Sequence, residues 1–279
     1  MPWLPELFSA PAQERLREKR HREELLDVPY FDGLLSGELD ALIESFVGEP
    51  ELYVPLRGRI KGERTFRAFV DEMNAWFGER NISVEDVERV ITQERGFEEV
   101  VLHLDADTGQ VGLPHALVAD HAPDGRLEEL RIYHSRYPLD GRHVNRPPVL
   151  QPDPELRESD VVAEYQLALA AGDVDAIVAA FEPDGYAREP AGGEYVHRGR
   201  DGLRDFYEHL FSNDGGIPLE QCTIIDDGRS CALEYNVVHW GKTELPPQAG
   251  VAVYVRGESG KLAAARIYDD ADPPLAPVA

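Results

Sequence analysis

"VVAEYQLALAAGDVDAIVAAF" occupies residues 161–181 and reads as two consecutive helices. Val162, Tyr165 and Leu169 fall at helical spacing, and Gly172 supplies the stop. Val174, Ile177, Val178 and Phe181 then line one face of a second helix. A third segment, "RDGLRDFYEHLF" (200–211), repeats that pattern with Leu203, Phe206, Tyr207 and Leu210. Downstream the period changes to two. "CTIID" (222–226) and "CALEYNVV" (231–238) flank the turn "DGRS", and "GVAVYV" (250–255) and "LAAARIYD" (262–269) flank "RGESGK". Three helices followed by a run of antiparallel strands define an α+β fold, with helices packed on a curved, mostly antiparallel sheet.

The same text occurs twice. "GELDALIESF" (37–46) matches "GDVDAIVAAF" (172–181) at an offset of 135 residues, as do Tyr30 and Tyr165, Gly125 and Gly260, and Arg131 and Arg266. "RIKGERTFRAFVDEM" (59–73) matches "HRGRDGLRDFYEHL" (197–210), which puts Phe66, Phe69, Val70 and Met73 on the face of its helix. The expected organisation is a tandem duplication. It comprises a charged helical extension over 1–26, a first domain over 27–143, a proline-rich linker over 144–158, a second domain over 159–274 and a tail over 275–279. Fusion gives the two copies a high effective concentration for each other, so they are expected to pair.

Composition narrows the partners. A formal charge of −25 over 279 residues argues against binding nucleic-acid phosphate or an anionic membrane surface. No run approaches the roughly 20 apolar residues of a membrane span. The first residues lack the pattern of a secretory signal, so a cytoplasmic location is expected. Cys222 and Cys231 flank a turn and are expected to be reduced. The nine histidines are scattered, without a His-x-x-x-His pair or a cysteine cluster, so no metal is expected. Glycine-rich phosphate loops and Gly-x-Ser-x-Gly are also missing, which points to chemistry without a cofactor.

Residues 161–211 resemble the first half of bacterial ketosteroid isomerases and, more broadly, the SnoaL-like, nuclear-transport-factor-2-like superfamily. "ARIYDDADPP" (265–274) resembles the closing strand of SnoaL-like proteins. The resemblance implies two tandem cone-shaped domains that hold a small apolar molecule. It also implies roles. Tyr165 matches a tyrosine that donates a hydrogen bond to an enolate oxygen, and Glu189 of "AREPAG" matches a proton-shuttling carboxylate. A second oxyanion donor, a protonated aspartate, has no counterpart at Gly250 or Val251. In the first copy Tyr30 keeps the tyrosine position, Val54 stands where Glu189 does, and "GLPHALVA" offers His115. A degenerate site is therefore expected there.

The residues alone leave alternatives open. Tyr165 on an apolar helix face also fits a core tyrosine, and Glu189 also fits an exposed turn. Glu234 and Asn236 alternate with Tyr235 and Val237, so only one set faces the helices; Arg266, Tyr268 and Asp270 share a face likewise. Tyr30, His115, Glu234, Tyr235, Tyr268 and Asp270 are the substrate-binding candidates. The leading expectation is a cofactor-free isomerase or cyclase acting beside the carbonyl of an apolar, polyketide- or terpenoid-like substrate. The alternatives are a non-catalytic carrier of a hydrophobic ligand and a protein-interaction module using the sheet face.

Overall fold

The computed structural model describes residues 39–274, except 93, 107–108, 124–125 and 194. Tyr30, the extension over 1–26 and the tail lie outside the described residues. The chain divides into two compact units, Met1–Ile132 and Tyr133–Ala279. The segment 133–158, read above as the end of one domain plus a linker, is thus grouped with the second unit.

The first unit contains α1 (Leu39–Glu44), β1 (Glu51–Val54), β2 (Gly58–Lys61), α2 (Glu63–Gly78), β3 (Ser83–Ile91), β4 (Arg95–Ala106), β5 (Gly109–His121) and β6 (Leu127–Tyr133). Its sheet runs β2-β1-β6-β5-β4-β3. Phe66, Phe69 and Val70 of α2 are buried, as their spacing requires.

The second unit contains α3 (Tyr137–Asp140), α4 (Asp160–Ala171), α5 (Val174–Ala180), β7 (Phe181–Arg188), β8 (Val196–Arg198), α6 (Gly199–Leu210), β9 (Leu219–Asp226), β10 (Ser230–Trp240), β11 (Thr243–Arg256) and β12 (Leu262–Ile267). Its sheet runs β8-β7-β12-β11-β10-β9, the same order as the first. Within each sheet one inner pair is parallel, β1 with β6 and β7 with β12. The sequence reading placed all three helices before the strands. The structure instead inserts β7 and β8 between α5 and α6.

Local chemistry explains the helix boundaries. Gly172 adopts the left-handed conformation (φ 71°) and its N–H caps the carbonyls of Ala168 and Leu169. Asp173 then accepts from the N–H of Ala176 at 3.0 Å and starts α5. Val162, Tyr165, Ile177, Leu203 and Tyr207 from the helices pack with Leu233, Tyr235, Val237, Ala252, Tyr254 and Ala265 from the sheet as one buried core. Cys222 and Cys231 are both buried and not joined in a disulfide, and the hairpin pairs Cys231 with Asp226 instead. Among the described residues no helix is long and apolar enough to cross a membrane.

Candidate active site

Strand alternation decides which groups meet the helices. Leu233, Tyr235 and Val237 of β10 join the helical core together with Tyr254 and Ala265. Glu234, Asn236, Arg266, Tyr268 and Asp270 are directed to the other face of the sheet.

On the helical face, Tyr165 of α4 is buried, with its Oη 2.7 Å from Tyr207 Oη of α6. Its ring meets Phe181 edge-on at 5.9 Å and Tyr254 at 5.2 Å. Gln166 Nε2 donates to Tyr254 Oη at 2.6 Å. Burial pushes the Tyr165 hydroxyl up to about 12. It also raises Tyr207, Tyr235 and Tyr254 well above the ordinary phenol value. These groups therefore stay neutral and able to donate at physiological pH.

The Asp269 carboxyl reaches this aromatic interior. Tyr235 Oη donates to Asp269 Oδ2 at 2.8 Å, just beyond the end of β12. Asp269 sits deep, yet retains partial exposure to solvent. Burial lifts its carboxyl to about 6, and the neighbouring Asp270 charge adds to the rise; Tyr235, the Ala271 N–H and His143 oppose it. The absence of a side chain at Gly250 makes the arrangement possible. A Cβ there would stand 2.7 Å from the Tyr235 ring and 2.8 Å from Asp269 Cβ.

Glu189 follows β7 in a turn and is about a third exposed. Its Oε1 lies 2.7 Å from His197 Nε2, and the His197 ring stacks on Phe206 at 4.1 Å and 9°. A series of contacts through His197, Phe206 and Tyr207 links Glu189 to Tyr165. The structure does not bring that sequence-matched pair into contact.

The remaining candidates are dispersed. His115 lies in the first unit on β5, opposite Val100, with Nδ1 3.0 Å from the Leu113 carbonyl. Val54 ends β1 there and is buried. Glu234 accepts from Thr223 Oγ1 at 2.5 Å on the face away from the helices. Tyr268 is fully buried beneath the Arg188 guanidinium.

Asp270 acts as a clasp. It accepts from Ser135 Oγ at 2.5 Å and from the N–H of Val144 at 2.7 Å, and lies 3.1 Å from His143 Nδ1. Burial pushes its carboxyl up, but His143, Ser135 and the N–H groups of Val144 and Arg136 overcome this and hold it below the ordinary carboxylate value. An Asp270→Ala chain strands all these partners and is expected to lose about 3 kcal/mol of stability at pH 7. The loss shrinks as acid protonates the wild-type carboxylate below pH 4, because the stabilisation is present above the unfolded pKa and lost through the folded one. Urea denaturation at pH 7 and pH 3 measures both.

Among the described residues no group of three or more His, Cys, Asp or Glu is placed to hold a metal ion.

Residues 161–265 match the family described as the SnoaL-like domain. Solved structures similar to the chain include SalBIII, an epoxide hydrolase/cyclase-like enzyme in pyran ring formation in the polyether salinomycin. It shows 22% identity over 39% of this chain and 87% of that one, with a TM-score of 0.34. TerC, co-crystallised with polyporic acid, shows 17% identity over 39% and 88%, with a TM-score of 0.34. A SnoaL-like protein from Burkholderia thailandensis shows 16% identity over 39% and 92%, with a TM-score of 0.33. At such identities the likeness concerns the fold alone. No curated protein matches the chain.

Sequence reasoning missed Asp269, Tyr207, Tyr254, Gln166 and His197. Tyr207 was legible as an apolar-face residue, though its hydroxyl partner was not. For Asp269 there was a signal: if Arg266, Tyr268 and Asp270 share one face, Asp269 shares the other with Ala265 and Ile267. An acid on an otherwise apolar strand face is unusual enough to single out.

Proposed function

We propose that the second unit is a cofactor-free acid–base catalyst of the isomerase or cyclase kind, acting beside the carbonyl of an apolar substrate, and that the chain is a tandem duplication whose first copy lacks the reacting groups. The reading rests on one observation: the Asp269 carboxyl, set against Tyr235 among the buried tyrosines. A group that titrates near pH 6 exchanges protons efficiently at neutral pH. Asp269 takes the proton from the carbon next to the carbonyl and returns it at the new position. The neutral phenol pair Tyr165–Tyr207 supplies a donor for the oxygen that becomes negative, an interaction strengthened where water is excluded. The SnoaL-like match over 161–265 and the shared strand order of the two sheets support this reading.

Deuterium exchange tests it without knowledge of the natural substrate. Wild type is expected to speed loss of the α-hydrogens of indanone in D2O by about 100-fold or more over buffer, followed by NMR. Asp269→Asn is expected to return the rate to background. Should Glu189→Gln abolish exchange while Asp269→Asn retains it, the shuttle is Glu189. If all three proteins match buffer, the acid–base reading falls and a ligand carrier remains.

A further inference from the structure

Three arginines gather at one end of the second sheet in a chain of net charge −25. Arg188 on β7 is register partner to Arg266 on β12, and Arg198 on β8 is partner to Tyr186 on β7. Arg198 covers the Tyr186 ring at 4.4 Å, and Arg266 Nη1 donates to the Tyr186 hydroxyl at 3.2 Å. Arg188 differs from Arg131 and Arg256, whose side chains are also largely buried. Arg131 meets Asp120 and Glu129, and Arg256 meets Asp160 and Asp226. Arg188 is only 7% exposed and lies flat on the Tyr268 ring, its Cζ 4.6 Å from the ring centre. Its Nε and Nη2 are buried and face no hydrogen-bond acceptor. The neighbouring carboxylate, Glu189, is turned to His197 instead.

A guanidinium does not shed its proton in a protein, and an aromatic face attracts a cation without accepting its in-plane N–H groups. Nε and Nη2 form the parallel pair of donors that matches the two oxygens of a carboxylate. We propose that Arg188 is the receptor of a small carboxylate anion, seated on the sheet face away from the helices with Tyr268 as the floor beneath the guanidinium. Arg198 and Arg266 add positive potential around it. The site is independent of the acid–base reading, since Arg188 and Asp269 are directed to opposite faces of the sheet.

Thermal melting of the full chain tests the proposal, with chloride replaced by acetate at constant ionic strength. For wild type the melting temperature is expected to rise along a saturating curve, by about 5 °C at a hundredfold excess over Kd. Arg188→Lys keeps the charge but loses the paired donors and is expected to lose most of the rise. Arg188→Met is expected to show none and to melt above wild type in chloride, because a buried unpaired charge has gone. Asp269→Asn is expected to respond as wild type does, which separates this site from the catalytic one. An Arg188→Met chain that responds like wild type, or melts below it at every acetate concentration, overturns the proposal and leaves Arg188 as packing on Tyr268. If Arg188→Met does not fold, 13C-acetate relaxation decides: equal broadening by wild type and Arg188→Lys overturns it, and broadening by wild type alone supports it.

Discussion

Asp269→Asn is expected to make the protein more stable above pH 6 while removing the proton-exchange activity proposed for it. Burial holds the Asp269 carboxyl near 6 in the folded chain, against an ordinary value of 3.8. A raised acid pKa means the folded state binds the proton more tightly than the unfolded one. Its contribution is therefore fully present below about pH 4, falls as pH rises from 4 to 6 and is constant beyond. The rise from 3.8 to about 6 corresponds to about 3 kcal/mol. Asparagine keeps an oxygen for the Tyr235 hydroxyl and has no charge to bury. The stability difference, variant minus wild type, should be small at pH 4 and reach about 2–3 kcal/mol at pH 8. Urea melts across that range measure it, and a difference independent of pH would show that Asp269 titrates normally. Stability gained together with activity lost is the usual mark of a group kept for chemistry.

Gly216→Ala is expected to cost about 3–5 kcal/mol or to prevent folding. A Cβ at Gly216 would lie 2.2 Å from the Leu169 carbonyl oxygen, 2.4 Å from that of Ala170 and 2.4 Å from the Gly172 nitrogen. These are backbone atoms at the end of α4, so no side chain can swing aside. The contact is held from both directions: Ile217 N–H donates to the Leu169 carbonyl at 2.8 Å, and Gly241 N–H donates to the Gly216 carbonyl at 2.9 Å. The extra methyl group therefore has to lever α4 outward, and Tyr165 on α4 moves with it away from Tyr207. Gly78→Ala is the control, since a Cβ there meets nothing within 4 Å. It is expected to change stability by less than about 1 kcal/mol. Similar denaturation midpoints for the two variants would refute the close-contact argument.

What the sequence disclosed follows from how local each signal was. Helices α4 and α5 were legible because their apolar spacing, the Gly172 stop and the Asp173 cap all lie within about twenty residues. Strands β9 to β12 announced themselves by alternation around tight turns. β7 did not, because Glu182, Pro183, Asp184 and Gly185 break its apolar pattern. Its place comes from parallel pairing with β12, a partner far along the chain. The site divides in the same way. Tyr165 could be picked out on a helix face, whereas its bond to Tyr207 is tertiary. The resemblance called for an acid at Gly250 or Val251 and found none. Packed against the bare Cα of Gly250, however, is Asp269, brought from the end of the next strand. A comparison position by position along one strand has no means of finding a carboxyl delivered from its neighbour.

The parallel pair in each sheet also sets an order of events during synthesis. β7 is complete at residue 188, but its partner β12 begins at residue 262, so its edge stays open while more than seventy residues are added. At about 5–20 residues per second that interval lasts several seconds. The first sheet faces the same wait between β1 and β6, and it ends at residue 133, before β7 has left the ribosome. The nascent chain therefore exposes the open edge of one such inner strand at a time. A stop codon placed before residue 262 leaves that second exposure permanent, and such fragments should be ready substrates for chaperones and proteases.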